Sequence, residues 1–389
     1  MNPESLDPSS SAAGSSPSGP PEAAAAARSV PGDAAGAGLA PSGPGDTGPS
    51  GAVAGDGHGD TATVSGPSAV PADETITARL AAAARGLVDA LDCHVVGQRE
   101  AIETLVAAYM AGGHALLEGL PGMGKTRLAR GFASCLGVRF GRVQFTPDLM
   151  PADLVGTNIF DAGAAAFRLL RGPIFTEVLM ADEINRTPPK TQSALLEAMQ
   201  ERQVTIDGES LPLDAGFFVI ATQNPIELEG VYPLPEAQLD RFLVRIEMGL
   251  PPREAELGLL RRAVAGSLDE GGLGPPLLGP GEALALRHAA QRVHAAEDVL
   301  DYLVRLASAA RRSPHVELGV SPRAVLALLQ LARGAALLEG RDFVAPDDVK
   351  SLLVPCWAHR MILTPEAELE GHSARRLLEQ VAAAEPVPH

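Results

Sequence analysis

Apolar residues recur at helical spacing in two early stretches. Across 76–91 they fall at Leu80, Ala84, Leu87 and Leu91, and across 98–111 at Ile102, Leu105, Val106 and Tyr109. The period then changes. His114 to Glu118 (HALLE) is a short apolar run ending at Gly119, which reads as a buried strand. A Gly-rich turn follows, then a helical stretch from Lys125 to Leu136. Further strands are predicted at Arg139–Phe145, Val178–Ala181, Phe217–Ala221 and Val244–Met248, with helical stretches between several of them. Strands that are apolar nearly throughout and alternate with helices predict an α/β fold, a parallel sheet covered by helices on both faces.

Beyond Pro251-Pro252 the pattern differs. Residues 266–282 (GSLDEGGLGPPLLGPGE) read as a loop or linker. After it only helical periods occur. Val299, Leu303, Leu306 and Ala310 share one face. Ser321-Pro322 offers an N-cap and a first-turn proline to the apolar helix Arg323–Leu338, in which Gly334 is a weak point. Ala345-Pro346-Asp347-Asp348 opens another helix with acids in its first turn. The expected division is an α/β domain over 76–250, a linker over 251–283 and a smaller all-α domain over 284–385.

Residues 1–75 are mostly Gly, Pro, Ala and Ser, with nine acids against the single Arg28, a net charge of −8. So little apolar surface cannot offset the chain entropy, and this tail is expected to be disordered. The whole chain carries −17, which leaves about −9 on the rest. An acidic body with no basic stripe interleaved with aromatics argues against binding to nucleic acid or an anionic membrane. No run of 18 apolar residues exists, so no membrane span is expected. Glu4 and Asp7 stand where a signal peptide would be basic, and a cytoplasmic protein is expected. Cys93, Cys135 and Cys356 lie far apart with no metal-ligand spacing, as suits a reducing compartment.

Candidate chemistry is concentrated in three places. Gly119-Leu120-Pro121-Gly122-Met123-Gly124-Lys125-Thr126 fits G-x-x-x-x-G-K-[ST], the phosphate-binding loop. Its glycines let backbone N–H groups turn inward, and the next helix adds its positive end. Lys125 would bridge the β- and γ-phosphates, and the Thr126 hydroxyl would bind Mg²⁺. Val178 to Glu183 (VLMADE) is an apolar strand that delivers two acids at its carboxyl end. Asp182 would hold Mg²⁺ and Glu183 would polarise the attacking water. Third, Phe217–Ala221 runs into Thr222-Gln223-Asn224-Pro225, where Asn224 could orient that water. No Lys follows an Asn, so the Asn-Lys-x-Asp string that usually reads guanine is missing and ATP is favoured over GTP.

The long segment Ala181 to Glu201 (ADEINRTPPKTQSALLEAMQE) closely resembles the MoxR family of AAA+ ATPases. So do Gln144–Pro151 (QFTPDLMP), Gly172–Phe175 (GPIF), Ala221–Pro225 (ATQNP) and Tyr232–Phe242 (YPLPEAQLDRF). The resemblance spans 76–380. It implies a P-loop AAA+ core with an insert in helix 2, an all-α lid, ATP and Mg²⁺ as cofactors, and work as a homo-oligomeric, usually hexameric, ring. It puts the Walker A role on Lys125 and Thr126, the Walker B role on Asp182 and Glu183, and sensor 1 on Asn224. Arg241 matches the family's arginine finger, Arg323 matches sensor 2, and Arg186 is a candidate for a second contact across subunits. Residues 153–171 resemble the helix 2 insert, and 203–217 the hairpin before sensor 1. Asp207-Gly208 reads as that hairpin's turn on its own chemistry. The resemblance further implies chaperone-like remodelling of protein clients, commonly ones with a von Willebrand factor A domain. A nucleic-acid-stimulated motor and a nucleotide-gated scaffold with little turnover are the alternative readings. Trp357, Cys356, His94 and His114 read as structural.

Overall fold

The structure is a computed structural model that describes residues 72–225, 230–266, 275–279 and 281–388. The expectation of a disordered tail falls almost wholly outside these residues. Helices α1 (Ala72–His94) and α2 (Arg99–Met110) lead into β1 (Ala115–Gly119), α3 (Lys125–Leu136) and β2 (Phe140–Gln144). A short helix α4 (Pro151–Val155) opens a hairpin of β3 (Gly156–Asp161) and β4 (Ala166–Arg171). Then come β5 (Val178–Asp182), α5 (Pro189–Glu201), a hairpin of β6 (Gln203–Ile206) and β7 (Glu209–Pro212), β8 (Phe218–Gln223), α6 (Glu236–Leu239) and β9 (Val244–Met248). The remainder is α7 (Arg253–Val264), α8 (Glu282–Gln291), α9 (Glu297–Arg312), β10 (Val316–Leu318), α10 (Pro322–Leu338), α11 (Pro346–Trp357), β11 (Ile362–Leu363), α12 (Pro365–Leu369) and α13 (Ala374–Ala384).

Five strands form one parallel sheet in the order β2-β5-β8-β1-β9. Strands β5 and β8 therefore separate β1 from its successor β2. That places the carboxyl ends of β1, β8 and β5 side by side, where open α/β sheets bind ligands. Alternation along each strand splits the core in two. Leu117, Met180, Phe218 and Ile220 pack toward α1, α2 and α3, while Leu116, Leu179, Ala181 and Val219 pack toward α5 and the β6–β7 hairpin.

The first of these clusters does not stop at the α/β part. It continues into Leu286, Tyr302, Leu306, Leu328, Leu331 and Trp357 of the C-terminal helices. Gly334 of α10 explains itself here. A Cβ on it would lie 2.6 Å from the Ala107 carbonyl oxygen of α2, so only glycine lets the two helices approach this closely. The residue that weakens α10 as an isolated helix is what docks it.

The expected 251–283 linker is partly helical. Helix α7 occupies 253–264 and buries none of its residues, although Leu257, Leu260 and Val264 recur along it at helical spacing. The C-terminal part is helical apart from a small antiparallel ribbon, β10 against β11. Among the described residues no helix is long and apolar enough to cross a membrane.

Candidate nucleotide site

Strand β1 is buried along its whole length and ends at Gly119. There the backbone runs so close to β9 that a Cβ would meet the Met248 carbonyl oxygen at 2.6 Å. Gly122 and Gly124 follow with φ of +85° and +87°. At Gly122 a Cβ would meet nothing within 4 Å, so backbone conformation alone demands glycine there. Gly124 is the left-handed N-cap of α3, and the helix begins at Lys125. The loop Gly119–Thr126 thus turns from β1 into a helix N-terminus whose first N–H groups have no partner within the helix. The Lys125 ammonium donates to the Gly119 carbonyl at 2.5 Å and to the Gln223 carbonyl at 3.5 Å. It therefore lies between the ends of β1 and β8.

At the end of β5, Asp182 is buried and both of its oxygens are engaged. Thr222 on β8 donates its hydroxyl to Oδ1 at 2.6 Å, and Arg142 on β2 donates to Oδ2 at 2.7 Å. The Glu183 backbone N–H donates to the same Thr222 oxygen at 2.9 Å. One hydroxyl thus ties β8 to both acids. Glu183 has φ +56°, ψ +50°, a left-handed conformation uncommon for a residue with a side chain. Its carboxylate accepts from Gln144 Nε2 at 2.6 Å and pairs with Arg186 at 3.1 Å. Backbone strain of this kind concentrates where a side chain must be aimed.

Asn224 is buried directly after β8, so it stands at the same sheet edge. Gln223, one residue earlier, joins Lys125 to an ion pair of which only the acid is buried: its side chain donates to Glu118, which Arg245 also meets at 2.9 Å. Burial pushes the Glu118 carboxyl up, and Arg245 opposes that push.

Arg241 lies elsewhere. It follows α6 and lines a surface depression of about 200 Å³ with Ser193, Glu197, Gln200 and Glu201 of α5. No residue of 119–126 lines that depression. Arg323, at the start of α10, reaches Asp240 at 4.0 Å, and Arg360 holds the other oxygen of that aspartate at 3.0 Å. The structure therefore brings the ends of β1, β5 and β8 together with Lys125, Asp182, Glu183 and Asn224, while Arg241 lines a depression on α5 and Arg323 reaches Asp240.

A sequence profile described as ATPase family associated with various cellular activities (AAA) matches residues 114–244, and an AAA lid profile matches 308–381. The chain is 41% identical to chaperone MoxR1 of Mycobacterium tuberculosis, over 76% of this chain and 79% of that one. It is 35% identical to protein MoxR of Methylorubrum extorquens, over 71% and 86% of the two chains. The chain belongs to the MoxR family of AAA+ ATPases. The uncharacterized protein YeaC of Bacillus subtilis is 45% identical over 76% of this chain and 91% of its own. A crystal structure from Cytophaga hutchinsonii, which carries only a provisional ATPase name, superposes with a TM-score of 0.75. It is 36% identical and covers 82% of this chain and 98% of that one.

Against this MoxR frame, four residues that touch the site had no role assigned from sequence. They are Arg142, Gln144, Thr222 and Glu118. Gln144 and Thr222 lie inside the quoted strings QFTPDLMP and ATQNP, which is the only signal they gave. Arg142 alternates with Gln144 on β2, so both side chains face the β5 acids. His114 is structural, as expected. Its Nε2–H donates to the Met199 carbonyl at 3.2 Å, and its Nδ1 accepts from the Val219 N–H at 3.0 Å. Cys356 and Trp357 are fully buried.

Proposed function

We propose that this chain hydrolyses ATP at the interfaces of a homo-oligomeric, hexameric ring and uses the cycle to remodel or activate protein clients. Residues 76–250 would be the ATPase module and 284–385 its lid. The observation that carries this reading is the convergence of a glycine-lined loop, a lysine and two acids at adjoining strand ends. Lys125 binds the β- and γ-phosphates against the N-terminus of α3. Thr126 and Asp182 offer a hydroxyl and a carboxylate, oxygen donors that suit a hard ion such as Mg²⁺. Mg²⁺, when bound, neutralises charge on the phosphate oxygens. Glu183 acts as general base on the attacking water, and Asn224 orients that water. Arg142 has to leave Asp182 Oδ2 or share it. Gln144 and Arg186 both meet Glu183 at Oε2, so its Oε1 is the oxygen offered to the water.

Arg241 does not line its own phosphate loop, which supports action on a neighbour's nucleotide. Arg323, the sensor 2 candidate at the start of α10, is assigned to nucleotide binding as well. An arginine supplied across an interface stabilises charge in the transition state more than in the bound substrate. Arg241→Ala should therefore bind ATP normally and lose ~10³–10⁵ in turnover. Mixing it with inactive Lys125→Ala subunits should restore part of the activity, because some interfaces then pair an intact loop with an intact arginine. Failure of mixing to restore anything, together with activity per subunit that does not change with concentration, would overturn the ring reading. The chaperone name of the mycobacterial relative favours protein clients, among which those with a von Willebrand factor A domain are our candidates, in the cytoplasm. A Glu183→Gln variant holding ATP should retain such a client in a pull-down, and ATP-independent capture would count against this reading.

A further inference from the structure

The C-terminal part holds a donor cluster that plays no part in the nucleotide site. His315 lies in the turn between α9 and β10. Glu370 and His372 lie in the turn between α12 and α13. The ribbon brings these turns together, because Val316 of β10 pairs with Leu363 of β11 and the Thr364 N–H donates to the His315 carbonyl at 3.0 Å. Gly371 then takes φ +80° and folds the chain back, with its N–H on the Glu368 carbonyl and the His372 N–H on the Ala367 carbonyl, both at 3.0 Å. The imidazoles of His315 and His372 consequently stack, with centroids 4.2 Å apart and 29° between planes. The Glu370 carboxylate lies 3.5 Å from His372 Nε2. One donor atom from each of the three residues lies within 4.8 Å of the others.

We propose that His315, Glu370 and His372 bind a divalent transition-metal ion of the Zn²⁺ type. Two imidazoles and one carboxylate are a donor set suited to Zn²⁺, with the fourth position left to water. Zn–N and Zn–O bonds of about 2.0–2.2 Å place tetrahedral donors ~3.3 Å apart. Closing the cluster to that spacing falls to the side chains, because hydrogen bonds hold the backbone of both turns. Mg²⁺ prefers oxygen donors, so this site and the nucleotide site select different ions. A bound ion would join the ribbon to the turn that starts α13. That helix reaches the α/β part through Arg375, which pairs with Glu247 at 2.7 Å.

The full-length chain, freed of metal by a chelator and supplied with excess Mg²⁺, would be titrated with Zn²⁺ in a calorimeter. Co²⁺ absorption would report the geometry. One equivalent should bind with a dissociation constant on the order of micromolar or below. Altering a hydrogen-bond partner of a metal ligand costs about 10–100-fold in affinity, so His315→Ala or His372→Ala, which delete a ligand, should cost at least ~100-fold. Glu370→Gln should weaken binding less, because an amide oxygen remains. Zn²⁺ should raise the melting temperature of the wild type and not of the His315→Ala/His372→Ala double variant. The proposal is overturned if the wild type binds no Zn²⁺ below 100-micromolar order, or if the double variant binds it equally well. Should the alanine pair fold poorly by circular dichroism, His315→Gln/His372→Gln decides on the same criteria.

Discussion

Strands β4 and β5 follow one another in the chain and could hardly be placed more differently. Strand β5 (VLMAD) is buried at all five positions, with Met180 in one core cluster and Leu179 and Ala181 in the other. Strand β4 (AFRLLR) is exposed at every position but one. Its Phe167 is 74% exposed, and Phe160, paired with it on β3, is 60% exposed. Their rings meet edge to face at 5.4 Å. Packing on both sides makes β5 a fixed platform that delivers Asp182 and Glu183 to one place. The β3–β4 hairpin keeps large apolar side chains in water. One strand is held on both of its faces, and the other is left uncovered.

Four measurements would break or sharpen that contrast. Glu183→Gln should keep ATP binding and stability while turnover falls by ~10²–10⁴, the usual contribution of a general base. Unchanged steady-state turnover would remove Glu183 from the role of base. Leu179→Ala, at the centre of β5, should cost about 2–5 kcal/mol in urea unfolding, because both the buried side chain and its packing are lost. Acid should weaken the platform next. Burial holds His114 and His359 at a pKa of about 3. Both must stay neutral in the folded chain, whereas they take up protons below about 6.5 when unfolded. Their contribution is thus complete above pH 6.5 and declines as pH falls toward 3, by about 2 kcal/mol for each histidine at pH 5. His114→Gln should flatten that slope in a pH series of melting curves. Smallest of all, Phe167→Ala should change stability by no more than ~0.5 kcal/mol. A loss comparable to that of Leu179→Ala would show that the hairpin packs on the body of the protein.

The same contrast explains what the sequence disclosed. Buried elements announce themselves through apolar runs, so Val244–Met248 is the observed β9 and Lys125–Leu136 the observed α3. Turn chemistry was equally plain at Asp207-Gly208, which joins β6 to β7. The β3–β4 hairpin had no buried face to impose alternation, and only family resemblance marked 153–171. Helix α7 falls inside the expected linker although Leu257, Leu260 and Val264 recur in it at helical spacing. The ribbon of β10 and β11 is too short to carry a period. At the site, the motifs located Lys125, Asp182 and Glu183 together. The grip of Arg142 and Gln144 on the two acids was not legible, because it depends on β2 lying beside β5, and chain order does not reveal which strands are neighbours.

The close approach of α10 to α2 at Gly334 has a consequence for how the molecule melts and how it can be cut. Because one apolar cluster runs from α1–α3 into α8–α11, neither part has a complete interior by itself. Heating should give a single calorimetric transition, with no early step for the C-terminal helices. A protease nick between α7 and α8 should leave the two fragments bound as one particle on gel filtration, separating only in denaturant. Gly334→Ala, which sets a methyl against the Ala107 carbonyl, should be the substitution that lets them come apart.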